Sequence, residues 1–103
     1  MPQKDFQICL SDNVYLVVDY ETTDGRIVGF VVRLMLIQDE HLYNVARYDT
    51  AHGTPHRDIL SRSNNILEKN WLTQMEFDSA LTYAINDFKQ NYEYYITHWQ
   101  THW

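Results

Sequence analysis

Apolar residues recur along this chain with two different periods. Val14-Tyr15-Leu16-Val17-Val18-Asp19-Tyr20 and the run from Ile27 to Ile37 are β-branched and aromatic stretches of strand length. Thr23-Asp24-Gly25-Arg26 joins them, and Asp24-Gly25 is a type I′ hairpin signal because Gly accepts the positive φ that this turn demands. A second reversal near Gln38-Asp39-Glu40-His41 leads into Leu42 through Thr50, so three consecutive strands make an antiparallel β-meander. Phe6 to Leu10 before it, and Arg57 to Leu60 with Asn70 to Leu72 after it, are short candidates for further strands. The expected sheet has three to five strands.

The second period is helical. Phe77, Leu81, Ile85, Phe88, Tyr92, Tyr95 and Trp99 follow one another at steps of three or four, which places them on one face of a long α-helix. Thr73 with Glu76 three residues on reads as a capping box, and Leu72 with Phe77 as a hydrophobic staple, so the helix is expected to start just after Thr73. Such an aromatic stripe is core, because burying each ring contributes roughly 1.5–3 kcal/mol. The closing Thr97-His98-Trp99-Gln100-Thr101-His102-Trp103 repeats Thr-His-Trp and either extends the helix as an aromatic contact surface or frays. The fold class is therefore α+β, one domain over 1–103, with the meander packed against a C-terminal amphipathic helix.

Two-residue turns at Asp24-Gly25 and Asp39-Glu40 assign the side chains to faces. One face then carries Val14, Leu16, Val18, Val31, Met35, Ile37, Leu42, Ala46 and Tyr48; the other carries Tyr15, Val17, Phe30, Val32, Leu34, Leu36, Tyr43 and Val45. One helix covers one face. A second apolar face points to a homodimer, a partner protein, or a sheet curled on itself.

Composition narrows the class. At 103 residues with 45% hydrophobic side chains, 3 Gly and 2 Pro, the chain is long enough to bury one core and lacks the signature of disorder. Cys9 is the only cysteine, so an intramolecular disulfide is excluded, and its place in an apolar run predicts a buried small hydrophobe. No stretch approaches the roughly 20 apolar residues of a membrane span. The cytoplasm is expected, with neither membrane nor cofactor.

Charge bears on partners. The net charge of −6 has the wrong sign for stable DNA binding, which rests on clustered Lys and Arg. Residues 1–43 hold 3 basic and 7 acidic groups and residues 64–103 hold 2 and 5, but residues 44–63 hold 3 and 2. That one non-acidic window contains Arg47-Tyr48-Asp49-Thr50-Ala51-His52-Gly53-Thr54-Pro55-His56-Arg57-Asp58, where a strand runs into a turn marked by Gly53 and Pro55. Arg47 and Asp49 lie on the same side of the strand, and the turn lets His52 and His56 fold back towards them.

Three chemistries fit this window. His52 and His56 suit a general base and general acid in RNA cleavage, with Arg47 or Arg57 stabilising the phosphorane charge. Both histidines with Asp49 or Asp58 suit a divalent metal, though without the helical spacing of metalloprotease motifs. Alternatively the aspartates accept loop amides and pair with an arginine to fix the turn, with no catalytic purpose.

The same residues carry a resemblance. Arg47-Tyr48-Asp49-Thr50-Ala51-His52-Gly53 followed by Pro55-His56-Arg57-Asp58 resembles the Arg-x-Asp, histidine-rich turn of a family of small prokaryotic proteins that follow a β-meander with this motif. It is more distantly similar to the TumE-like toxins of toxin–antitoxin pairs, which share the Arg-x-Asp pair, a Pro-His step and a trailing helix. What the resemblance implies is a toxin acting on RNA or translation, neutralised by a co-encoded antitoxin, with Arg47, Asp49 and His56 as the carried-over positions. A protein-interaction module that homodimerises or binds a protein partner is the alternative.

Overall fold

The computed structural model describes residues 3–101, apart from the side chain of His52, which with His102 and Trp103 lies outside the described residues. Six strands form one antiparallel sheet in chain order: β1 (Gln3–Ser11), β2 (Val14–Thr23), β3 (Arg26–Gln38), β4 (His41–Asp49), β5 (His56–Leu60) and β6 (Ile66–Trp71). A single helix, α1 (Phe77–Thr101), lies across β3 and β4. The α+β meander and its long C-terminal helix are as expected, but the sheet has six strands because the short flanking runs extend into β1, β5 and β6.

Both meander turns are two-residue. Asp24 (φ 52) and Gly25 (φ 78) turn β2 into β3, while Asp39 (φ 53) and Glu40 (φ 64) turn β3 into β4 with no glycine. The assignment of faces is corrected, because two bulges intervene. Glu21 pairs with Gly29 but Thr22 with Ile27, so Val28 is an extra residue; Met35 pairs with Asn44 but Leu34 with Ala46, so Val45 is another. Each inserted residue moves everything beyond it to the opposite face. Val14, Leu16 and Val18 therefore share a face with Phe30, Val32, Leu34, Leu36, Ala46 and Tyr48, all buried beneath α1. The opposite face keeps Tyr15, Val17, Val31, Met35, Ile37 and Leu42, interrupted by Asp19 and Arg33.

On the helix the buried seam is Ala80, Ala84, Phe88, Tyr95 and Trp99. Phe77, Leu81, Ile85 and Tyr92 flank it, half-buried, because the two alanines let the backbone approach the sheet and turn the larger side chains outward. Trp99 anchors the far end against Tyr43, with ring centroids 4.9 Å apart, and beneath the Arg62 guanidinium at 4.8 Å. Trp99 of the first Thr-His-Trp is thus a core residue, while Thr97 stays exposed.

The helix start is also corrected. α1 begins at Phe77, and Ala80 N–H donates to Glu76 C=O at 2.8 Å, which makes Glu76 the capping position in place of Thr73. Thr73 and Gln74 lie in a turn closed by Met75 N–H on Leu72 C=O, while Leu72 N–H is tied to Pro55 C=O at 2.8 Å. That tether holds the chain at the sheet edge until it can cross to the helix layer. Cys9 is exposed instead of buried, since β1 is an edge strand and the alternation of its register puts Cys9, opposite Tyr15, on the uncovered face.

Candidate functional site

β4 and β5 bring the charged window together. Arg47 pairs with Asp58, Tyr48 with Arg57 and Asp49 with His56 across the ladder, so alternation sends Arg47, Asp49, His56 and Asp58 to the open face and Tyr48 and Arg57 towards the helix. Of the two arginines offered as partners of the histidines, this pleat keeps Arg47 beside His56 and corrects the placing of Arg57, which lies on the opposite side of the sheet. The turn itself is a 3-10 segment, Ala51–Gly53, closed by Gly53 N–H on Thr50 C=O at 3.0 Å. Gly53 has φ +85, the left-handed region that favours glycine.

On the open face Asp58, fully buried, is the centre of the cluster. Arg47 Nε donates to Asp58 Oδ2 at 3.0 Å and lies 3.5 Å from Asp49 Oδ2. Lys69, from β6, places Nζ 3.0 Å from Asp58 Oδ1. His56 is 2% exposed; its Nδ1 bonds Thr54 C=O at 3.0 Å and its Nε2 lies 3.0 Å from Asp49 Oδ1 and 3.7 Å from Asp58 Oδ2. Asp49 Oδ1 accepts Ala51 N–H as well, at 2.9 Å, which holds the carboxylate to the turn. Trp71 lies over the histidine ring with centroids 5.0 Å apart, and Lys69 Nζ is 5.4 Å from the Trp71 ring. Burial alone pushes the Asp58 carboxyl up, but hydrogen bonds from Lys69 and Arg47 and the charges of Lys69 and His56 outweigh it and hold it below the ordinary value.

The chemistry of this arrangement is constrained by its own pairing. With Nδ1 on a carbonyl and Nε2 on a carboxylate, His56 has no ring nitrogen left for a substrate proton. Donor atoms of Asp49, His56 and Asp58 lie within 4.8 Å of one another, close enough to surround a metal ion. Arg47 and Lys69 already neutralise Asp58 from both oxygens, however, and a divalent ion there would add charge beside two fixed cations. The donor set fits an internal ion cluster better than a metal centre.

A second network stands on the helix side. Asp87 accepts the Tyr48 hydroxyl at 2.6 Å, the Tyr95 hydroxyl and, on its other oxygen, Asn91 Nδ2 at 2.8 Å. Arg57 donates Nη1 to the Tyr95 hydroxyl at 2.8 Å and Nη2 to Asn70 Oδ1 at 2.6 Å. Burial, followed by the bond to Asp87, pushes the Tyr95 phenol up to about 12 and raises that of Tyr48 as well. Neither Lys69 nor the Tyr48–Asp87–Tyr95 linkage was evident from sequence; alternation in β5 and β6 could signal Lys69 only with their register, and the linkage needed the helix placed over β4.

Fold and site together define a small α+β protein with a paired ionic cluster on the open side of a meander sheet. Over residues 1–102 the chain matches the family model described as Domain of unknown function (DUF7718), and it belongs to that family. No match was found among curated proteins or among solved structures. Among the described residues no helix is long and apolar enough to cross a membrane.

Proposed function

We propose that this chain is a non-enzymatic protein-interaction module that works in the cytoplasm through the uncovered face of its sheet. The observation that carries this reading is the state of His56, enclosed at 2% exposure with both ring nitrogens engaged. A general acid or base must reach the proton it moves, and this ring cannot do so without first breaking its bonds to Asp49 and Thr54. The ionic cluster then serves to rigidify the β4–β5–β6 end of the sheet, while the other half of the same face offers apolar side chains to a partner.

A toxin acting on RNA or translation, held by a co-encoded antitoxin, is the second reading. Its support is the convergence of Arg47, Asp49 and His56, the positions on which the likeness to TumE-like toxins rests, at 3.5 and 3.0 Å spacings. Expression without any antitoxin, together with incubation of purified protein with RNA with and without divalent metal, separates the two. Harmless expression and intact RNA are expected. Toxicity or cleavage that disappears in a folded His56→Ala or Arg47→Lys protein would overturn the module in favour of the toxin.

A further inference from the structure

We infer that the notch where β4 outruns β5 takes the C-terminal carboxylate end of an extended peptide with an apolar last residue, held by Trp99, Asn44 and Arg62. This rests on the interaction-module reading and names the chemistry of its partner. The notch follows from unequal strands. β4 reaches back to His41, yet its pairing with β5 begins only at Ala46 opposite Ile59, so among the described residues no strand lies beside Leu42, Tyr43 and Asn44 on that flank. The β5–β6 turn, tied by Ser61 N–H on Asn65 C=O at 2.9 Å, closes one end. What remains is a cavity of about 310 Å³, at the small end of ligand pockets. Met35 and Leu42, which belong to the uncovered face, line it.

Its polar atoms name the occupant. Trp99 is 1% exposed and its Nε1–H has no hydrogen-bond partner among the described residues; Asn44 Oδ1 is buried and likewise unpartnered. Buried donors and acceptors are nearly always paired, because an unmade bond there costs stability. Both residues line the same notch, so one donor and one acceptor remain for a group that can accept and donate side by side. The last residue of a peptide does both, with its carboxylate and its amide N–H. Arg62, whose guanidinium lies 4.8 Å over the Trp99 ring, is the one charged residue among the described lining, in a chain of net charge −6. That sign selects a carboxylate over an amine, and a chain end over the middle of a peptide. The guanidinium turns from the indole to the carboxylate, which opens Nε1–H to a ligand oxygen, while the amide N–H of the ligand meets Asn44 Oδ1. Its last side chain then lies against Met35 and Leu42, and its extended backbone occupies the flank that β5 leaves uncovered.

Nuclear magnetic resonance of the three indole N–H groups, with circular dichroism as a check on folding, tests the notch. The Trp99 signal is the one kept in both the Trp71→Phe and the Trp103→Phe proteins. Acetyl-alanyl-alanyl-leucine as the free acid should shift it saturably at millimolar peptide. The C-terminal amide of the same peptide, and the acid added to Arg62→Gln protein, should each bind about tenfold or more weakly, for loss of a charge-assisted hydrogen bond. A peptide ending in N-methylleucine, which lacks the last N–H, should bind about fivefold more weakly. Arg26→Gln, the same charge change at an exposed residue on the far end of β3, should alter nothing. A Trp99 signal unmoved by the acid, or moved equally by the amide, overturns the notch while leaving the module free to bind elsewhere on the uncovered face. RNA cleavage by folded protein would instead overturn the module reading, whatever the notch binds.

Discussion

Two polar networks lie back to back on β4 and β5, and they hold the molecule by different physics. Towards the helix, Asp87 accepts two tyrosine hydroxyls and joins α1 to β4, while Tyr95 extends the connection to Arg57 and β5. Towards the open face, Asp58 sits among Arg47, Lys69 and His56 and joins β4, β5 and β6 within the sheet. The first network crosses layers and uses neutral hydroxyls that carry their own apolar rings into the core. The second stays in one layer and is made of full charges. A layer contact survives burial because its rings are apolar; the ion cluster survives because it is near a surface where Arg47 and Lys69 keep part of their side chains in water.

Phe88→Ala should break the comparison most severely, because its ring lies 5.0 Å from Tyr48 and 5.1 Å from Tyr95 and supports both ends of the helix-side network. The expected loss is about 3–5 kcal/mol in urea unfolding, the range for truncating a buried Phe. Asp58→Ala should cost about 3 kcal/mol, the low end for breaking a buried pair, since roughly a third of the Arg47 and Lys69 side chains is already solvated. An unchanged midpoint for that variant would mean the open-face cluster adds nothing. Tyr48→Phe removes one hydroxyl from Asp87 and keeps the ring, so about 1.5 kcal/mol is expected, detectable as a small shift in thermal midpoint.

The finest contrast is invisible at neutral pH. Asp58 is held below the ordinary carboxylate value of about 3.9, so its stabilisation is complete above that pH and is lost as pH falls through the lower folded value. The gap between wild type and Asp58→Asn should stay constant down to about pH 4 and close below it. Tyr95 behaves oppositely. Its phenol is pushed from 10.0 up to about 12, so stability is full below pH 10 and declines as pH rises towards 12. Tyr95→Phe should flatten that alkaline slope in part and leave the acid limb untouched, which unfolding at a series of pH values would read directly.

Legibility from sequence divides along the same line as the physics. Local features were readable: Asp24-Gly25 for the hairpin, the helical spacing from Phe77 to Trp99, and the alternation that puts Arg47 and Asp49 on one side. Whatever depended on counting across a turn was not. Val28 and Val45 are ordinary strand residues, and nothing in their identity marks them as bulges, yet Val28 decides that Phe30, Val32 and Leu34 face α1 while Met35 and Ile37 do not, and Val45 brings Ala46 and Tyr48 to the same covered face. Lys69 joins Asp58 only through the β5–β6 register, and Asp87 meets Tyr48 only once the helix is placed. The small residues Ala80 and Ala84 were hidden for a related reason, since a search for large apolar side chains passes over those that permit close approach.

The chain order of the sheet has a consequence for synthesis. Every strand pairs with its neighbour in sequence, so each hairpin forms from local contacts on a microsecond timescale as it leaves the ribosome. Residues 72–101, the connection and α1, follow the sheet, and at roughly 5–20 residues per second it waits about 1.5–6 s for them. During that interval Leu16, Val32 and Leu34 have no helix over them. Arrival of Phe88, Tyr95 and Trp99 ends the interval, which makes α1 the step that converts a sticky nascent sheet into a protein.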